Sequence, residues 1–432
     1  MRAEDGEVVG RVKVGVFADT HVGRCIPRAI GELRRRAYRH AFTQAINVFI
    51  DEGVDCLVHA GDLFEKRSMT PEDSVFVKEE LQRLTDSIRD KQGKDVMMFA
   101  VRGNHDGGSE SNALDYIKHP LARYLKIIGD DVLRGKEAVE TCNGICIVGV
   151  SYHPYISQKL RDFQPILKRS FADRGELKLL VVHNFIRGYH PIPPGVPEHS
   201  YLSVEDFEGL GVDIVVAGHY HTKEDPMEVK GTVLLTSGAT EAVDLSDEGP
   251  YGVYVLEGTR SIRFIPIKPL HDIRNIKVSS QGAVKPAEWF VDKALEETRS
   301  YASSLQTRGV DGVLRLVLLG LTDEDPFSFE PPLMSGLSKV KEESPRLLHI
   351  ELVNRVENVR QPAVLPALGG GVEFAAEILK PLGTFAPDAM KIVEEVSMVL
   401  DEKASQKTGL LTGLDRVPYV TRWVDILEKK ET

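Results

Sequence analysis

The stretch Arg102-Gly103-Asn104-His105-Asp106 organises the fold predicted for this chain. It directly follows the apolar run at residues 96–101 (VMMFAV), which is typical of a buried parallel strand. A strand that ends in this way delivers an amide oxygen, an imidazole and a carboxylate to the carboxyl edge of a sheet. Open α/β sheets usually bind their ligands at that edge. Taken alone, however, the stretch is equally compatible with a polar turn.

Four other apolar runs also end in residue types that bind metals, with glycine where the backbone must turn tightly. These ends are Asp19-Thr20-His21 after residues 12–18, Gly61-Asp62 after 56–60, His183-Asn184 after 179–182, and Gly218-His219-Tyr220-His221 after 214–217. Carboxylate, amide and imidazole together suit first-row divalent ions such as manganese, iron or zinc better than calcium or magnesium. The pattern therefore predicts a metal site at one edge of an α/β fold.

The order of these five blocks resembles the signature of the calcineurin-like metallophosphoesterase superfamily. The flanking sequences DTHVGR (19–24), HAGDLF (59–64) and SGATE (237–241) are similar to those of the nuclease subunit of the DNA double-strand-break repair complex, the SbcD type. The resemblance implies an α/β fold, a four-layer α-β-β-α metallophosphoesterase sandwich with two metal ions between two facing sheets. It also implies a small α+β capping domain and a C-terminal helical tail.

The domain order expected from this resemblance has four parts. Residues 1–270 would form the binuclear nuclease domain, and 271–358 a capping domain that binds DNA. Residues 359–371, which end in Gly369-Gly370-Gly371, read as a linker. Residues 372–432 carry amphipathic helical segments and would dock on a partner ATPase.

Composition limits the class of protein. The chain has 432 residues, of which 42% are hydrophobic and 28% charged, as in globular proteins. It contains no apolar run of eighteen residues, so we expect no membrane span. The acidic N-terminus lacks the apolar core of a secretion signal, and the 4 cysteines show no pairing pattern, so a reduced, cytoplasmic location is expected.

The net charge of −11 counts against a protein that coats nucleic acid by charge alone. It does not exclude a nuclease, because two divalent cations would add positive charge at the site itself. Arg24, Arg28 and the cluster Arg34, Arg35, Arg36 and Arg39 either contribute to DNA binding or form a solvated helix face.

The resemblance also implies a role for individual residues. One ion would be held by Asp19, His21, Asp62 and His221, and the other by Asp62, Asn104, His183 and His219. Asp62 would bridge, because a carboxylate offers separate oxygens to both ions. The expected cofactor is two manganese ions per subunit. His105 would face the phosphate and act on the leaving oxygen. His59, inside a strand, is more typical of a core histidine, or of one that supports a ligand, than of a ligand itself.

One position departs from the family pattern. The repair nucleases usually have a second histidine three residues after the bridging aspartate, and this chain has Glu65 there. Related phosphatases have an aspartate that pairs with the catalytic histidine. Glu65 is therefore either a catalytic residue that orients His105 or a plain loop residue.

The leading hypothesis is a manganese-dependent DNA nuclease that works with a coiled-coil ATPase subunit in double-strand-break repair. Such nucleases act as 3′ to 5′ exonucleases on duplex ends and as endonucleases on single strands. The alternatives are a phosphodiesterase for cyclic nucleotides or other small nucleotides, and a scaffold with an inert site. By resemblance, a homodimer would form through helices at 71–88 and 112–125. Leu81 and Leu84 would lie either at that interface or in the ordinary core. The proline-rich loop at 189–199 is expected to lie over the site.

Overall fold

The computed structural model describes residues 12–66, 69–106, 123–172, 175, 177–193, 195–258 and 261–359. Residues Met1–Val356 group as one compact unit. The predicted tail lies outside the described residues, as do most of the predicted linker and residues 112–122 of the second predicted dimer helix.

Seventeen strands and six α-helices lie in the described part. The strands are β1 Lys13–Phe17, β2 Cys56–His59, β3 Met97–Ala100, β4 Leu125–Ile127, β5 Glu140–Cys142, β6 Ile145–Val150, β7 Leu177–Val182, β8 Ile186–Arg187, β9 Leu202–Ser203, β10 Ile214–Ala217, β11 Glu224–Val229, β12 Thr232–Thr236, β13 Gly252–Glu257, β14 Ser261–Pro266, β15 Asp272–Val284, β16 Gly312–Thr322 and β17 Leu347–Asn358. The helices are α1 Gly31–Glu52, α2 Pro71–Gln92, α3 Asp130–Leu133, α4 Ile156–Phe171, α5 Ala287–Arg308 and α6 Glu330–Glu343.

The first six-stranded sheet has the order β14-β13-β1-β2-β3-β4. Strands β1 to β4 are parallel, and α1 and α2 supply the crossovers from β1 to β2 and from β2 to β3. Their register places Phe17 opposite His59 and His59 opposite Ala100, so three of the motif-bearing strands end level with one another. The polar residues that follow them consequently meet at one edge.

The second sheet has the order β11-β12-β10-β7-β6-β5. Val182 pairs with Ala217, so the segments that begin at His183 and Gly218 leave the sheet side by side. At its outer end β5 and β6 form a hairpin whose turn, Asn143-Gly144, has positive φ at both residues, 47° and 83°. Such a turn matches the predicted Asn-Gly hairpin.

The two sheets face each other across a core that includes Val16, Val58, Val181 and Val216. α1 and α2 cover the outer face of the first sheet, and α4 covers that of the second. The predicted four-layer α-β-β-α sandwich is confirmed.

Helix α2 begins where its capping signals predict. Thr70 Oγ1 accepts from the N–H of Asp73 at 3.2 Å, and Pro71 is the first helical residue. The second predicted dimer helix is wrong at its C-terminal end. Leu125 is the first residue of β4 and pairs with Met98, because the edge of the first sheet outweighs local helical propensity.

Residues beyond 271 form a separate three-stranded sheet, β15-β16-β17, with its own core against α5 and α6. It packs on the sandwich through Val313, which contacts a small cluster with Ile30 and Leu245. These elements match the α+β pattern expected of a cap, while the boundary at 270/271 stays a prediction. None of the described helices combines the length and apolar character needed to cross a bilayer.

Candidate metal centre

The backbone bends sharply at the strand ends that carry the predicted ligands. Asp19, His21, Asp62 and His219 all have positive φ, at 51°, 41°, 55° and 76°. Non-glycine residues rarely adopt this conformation, which costs of order 1–3 kcal/mol each. Such strain concentrates at functional sites, and here it coincides with four predicted ligands.

Two glycines let the backbones approach each other closely. Gly61 has a φ of 94°, and a Cβ there would overlap the ring of His183. A Cβ at Gly103 would overlap the carboxylate of Asp62. Both glycines therefore allow side chains from different strand ends to share one small volume.

The structure brings the predicted ligands of the first ion together. Asp19, His21 and His221 each offer a ligand atom within 4.8 Å of the others. Asp62 Oδ2 lies 3.8 Å from His21 Nε2. Nε2 of His21 is buried and has no hydrogen-bond partner within the described part of the chain, while Nδ1 faces the carboxylate of Glu65. A buried imidazole nitrogen without a partner fits a metal ligand.

The predicted ligands of the second ion also converge. His183 Nδ1 donates to the carbonyl of Ala60 at 2.6 Å, so Nε2 carries the lone pair in the neutral ring. That Nε2 lies 3.3 Å from Asp62 Oδ2 and 3.2 Å from Asn104 Oδ1, which are both acceptors. Asn104 Oδ1 is in turn 3.0 Å from His219 Nδ1. A lone pair that faces two oxygens calls for a cation between them or a proton on the ring.

The electrostatics of the site point the same way. Burial raises the pKa of Asp19 to about 7, although His183 opposes it. Burial would also raise the pKa of Asp62, but the neighbouring His183 brings it below its ordinary value. Burial lowers the pKa of His219 and of His221 to about 3, so both are neutral imidazoles. Burial would lower the pKa of His183, but Asp62 raises it to about 9, so a protonated ring here neutralises carboxylates that could hold a divalent cation.

His105 lies against this cluster and remains partly open to solvent, with its side chain 34% exposed. Its main-chain N–H donates to Asp62 Oδ1 at 2.8 Å, and its ring packs edge-on against that of His21. Ring Nδ1 donates to the main-chain carbonyl of Glu65 at 2.9 Å, which leaves Nε2 available to a substrate.

The carboxylate of Glu65 has different partners from those expected. Oε2 lies 3.1 Å from His21 Nδ1, and Oε1 accepts from Arg24 at 2.7 Å. Oε2 is 3.8 Å from His105 Nδ1, beyond hydrogen-bond distance. Burial would raise the pKa of Glu65, but His21 and Arg24 lower it, so the group is a carboxylate. The contact that orients His105 therefore comes from the backbone of Glu65, while its side chain supports His21.

Comparison with known proteins identifies the sandwich. Residues 12–223 match the family model described as "Calcineurin-like phosphoesterase". These residues are therefore similar to a calcineurin-like phosphoesterase domain, in keeping with the metal-ligand set above.

Several relatives, the following three among them, are named "DNA double-strand break repair protein Mre11". That of Methanosarcina mazei is 26% identical over 305 residues, which cover 68% of this chain and 44% of the relative. That of Methanosarcina acetivorans is 28% identical over 297 residues, covering 65% and 43%. That of Halobacterium salinarum is 36% identical over 244 residues, covering 55% and 54%. The chain thus spans less than half the length of the first two.

Two residues of the phosphoesterase domain that sequence reasoning missed support the site. Buried Asp106 accepts from the main-chain N–H groups of Gly103 at 3.0 Å, Leu63 at 3.3 Å and Phe64 at 3.1 Å, which ties two ligand-bearing loops together. Tyr152 lies with its ring centroid 5.6 Å from that of His219. The position of Asp106 inside the opening motif was a signal for the first, and no local signal indicates the second.

The predicted basic cluster does not act as one surface of the phosphoesterase domain. Arg34 is fully buried and pairs with Glu241 at 3.0 Å, while Arg39 pairs with Asp73 at 2.7 Å. His59 is buried edge-on against Phe17, as expected of a core histidine. The arginines on α1 are thus divided between structural ion pairs and solvent.

Proposed function

We propose that this chain is a DNA nuclease that hydrolyses phosphodiesters with two divalent metal ions, preferably manganese, in double-strand-break repair. It would act as a 3′ to 5′ exonuclease on duplex ends and as an endonuclease on single strands. The names of the relatives support this proposal, and so does an open groove beside the metal centre.

The groove is the observation on which the proposal mainly rests. It has a volume of about 790 Å³ and extends from Thr222, next to the predicted ligand His221, to the cap sheet. Lys277 and Arg355 on the cap are exposed, and neither forms an ion pair with any described residue. Asp247 and Glu248 line the opposite wall, so the basic charge is confined to the cap side. A basic wall this close to a hydrolytic site suits a polymer of phosphates, which needs contacts beyond the scissile bond.

Different residues of the chain would have different roles in the reaction. Asp19, His21, Asp62, Asn104, His183, His219 and His221 would hold the ions, which supply an activated water and neutralise charge on the phosphate when bound. The Nε2 atom of His105, held by the carbonyl of Glu65, would protonate or stabilise the leaving oxygen.

A substrate comparison tests the proposal. The purified chain is incubated with end-labelled duplex DNA and with bis(p-nitrophenyl) phosphate, each with manganese and with a chelator. We expect manganese-dependent release of nucleotides from DNA. Lys277→Glu with Arg355→Glu should reduce DNA cleavage but leave hydrolysis of the small diester unchanged, whereas Lys339→Glu, an exposed lysine on α6, should change neither. Efficient hydrolysis of the small diester with no action on DNA would instead support the small-nucleotide alternative.

A further inference from the structure

A group of aromatic and basic side chains adjoins the metal centre and has no role in the chemistry above. It lies on residues 152–161 and 186–203. Asn184 follows the predicted ligand His183, and its amide donates to the carbonyls of His153 at 3.4 Å and Ser200 at 3.1 Å. Both segments are therefore anchored one residue away from the metal site.

Two of these rings form a stacked platform. Tyr155 and His199 are nearly parallel, with centroids 4.6 Å apart and an interplanar angle of 20°. Tyr155 is nevertheless 48% exposed, so one face of the pair stays open to solvent. Three residues before it, Tyr152 touches the ring of His219, so the platform lies a short distance along the chain from the scissile centre.

Basic side chains line a cavity of about 360 Å³ beside His199. Arg187 lies over the ring of Tyr201, at 5.9 Å, and Arg161 reaches the cavity from α4. Neither arginine forms an ion pair with a residue that the structure describes. Of the two acidic residues in the cavity wall, Asp206 is engaged by the N–H and hydroxyl of Ser203 at 2.8 and 3.0 Å, and Glu198 is exposed.

We propose that this surface binds single-stranded DNA next to the cleaved phosphate. One base stacks on the open face of Tyr155, and the neighbouring phosphates contact Arg187 and Arg161. Stacking on an exposed ring needs an unpaired base, because a base in a duplex has both faces covered. This inference rests on the proposed nuclease function and assigns it a subsite for the unpaired strand.

Binding of a fluorescein-labelled oligothymidylate to the full-length protein, measured by anisotropy in chelator, tests the subsite. Tyr155→Ala should weaken binding roughly tenfold, while Tyr155→Phe should bind like the wild type. Arg187→Ala should also lower the slope of log affinity against log salt by about 0.7. Phe327→Ala removes another ring, 68% exposed on the cap, and should have no effect. Affinity for blunt duplex DNA should not change in Tyr155→Ala.

Unchanged oligothymidylate binding in Tyr155→Ala would overturn the subsite, and so would an equal loss for duplex DNA. Neither result touches the proposed nuclease function, which is tested separately by manganese-dependent cleavage of duplex DNA by the wild type. If that cleavage is absent while the small diester is hydrolysed, the nuclease proposal fails whatever Tyr155 does.

Discussion

His105 adjoins the predicted ligands but is held by groups that do not need an ion. Its main-chain N–H donates to the carboxylate of Asp62, and its ring Nδ1 donates to the main-chain carbonyl of Glu65. We therefore predict that His105→Asn keeps both ions and loses roughly 100- to 10,000-fold in cleavage rate, the usual contribution of general-acid catalysis. Calorimetric titration with manganese gives the metal content. His105 also lies within reach of His21 and Asp62 as a third donor, so a variant that loses an ion would make it a ligand instead.

The side chain of Glu65 connects Arg24 to His21. A carboxylate on the far nitrogen of a ligating histidine orients the ring and makes it more basic. Glu65→Gln should therefore weaken manganese binding roughly 10- to 100-fold, and the loss should affect one of two ions. Glu72→Gln changes a carboxylate that is 78% exposed on α2 and should bind manganese normally. Normal titration of both ions by Glu65→Gln would show that the contact with His21 has no role in holding metal.

At the scale of the secondary-structure element, helix α2 has one buried face and one exposed face. Leu81 and Leu84 were expected at a dimer interface, but each is only 1% exposed and packs with Phe17 and Val77 in the core. That assignment of the two leucines is wrong, because the first sheet needs an apolar cover on its outer face. Val75, 48% exposed, lies on the opposite side of the helix.

If the homodimer forms through α2, two substitutions should behave differently. Val75→Arg should give a folded monomer whose melting temperature no longer depends on protein concentration. Leu81→Ala should stay dimeric but lose about 2–5 kcal/mol of unfolding free energy, the cost of a large-to-small change in a core. Light scattering and thermal melts measure the two effects. A wild type that is monomeric at micromolar concentration contradicts the homodimer itself.

At the scale of the whole molecule, catalysis and partner docking are expected to lie in different parts of the chain. All predicted ligands, His105 and the basic groove lie before residue 357. Removing residues 367–432 should leave manganese-dependent nuclease activity near wild type and abolish co-purification with the coiled-coil ATPase. The tail carries Val417, Val420, Val424 and Leu427 at helical spacing, as in a helix that binds in a groove.

Two outcomes of the truncation experiment would contradict this prediction. A shortened chain that unfolds or loses nuclease activity would show that the tail packs on the cap as part of the fold. A shortened chain that still binds the ATPase would locate the docking surface elsewhere. Circular dichroism on both lengths separates a folding defect from a loss of partner binding.

The sequence alone determined the features that depend on neighbouring residues. Apolar runs followed by glycine and polar residues predicted the motif-bearing strands, and the Thr70-Pro71 and Asn143-Gly144 signals predicted a helix start and a hairpin. These patterns suffice because backbone conformation and the burial of alternate faces are set over a few residues. The α-β-β-α layer order was predicted from the family resemblance, which rests on the residues at these same strand ends.

Only the tertiary structure decided which side chains become partners. Arg34 meets Glu241 across 207 positions of sequence, and Glu65 lies between Arg24 and His21 on another strand end. Leu125 joins an edge strand because its backbone pairs with β3. Leu81 faces the core because α2 packs on the first sheet. Such contacts depend on packing between elements that are distant in sequence, and local periodicity carries no information about that packing.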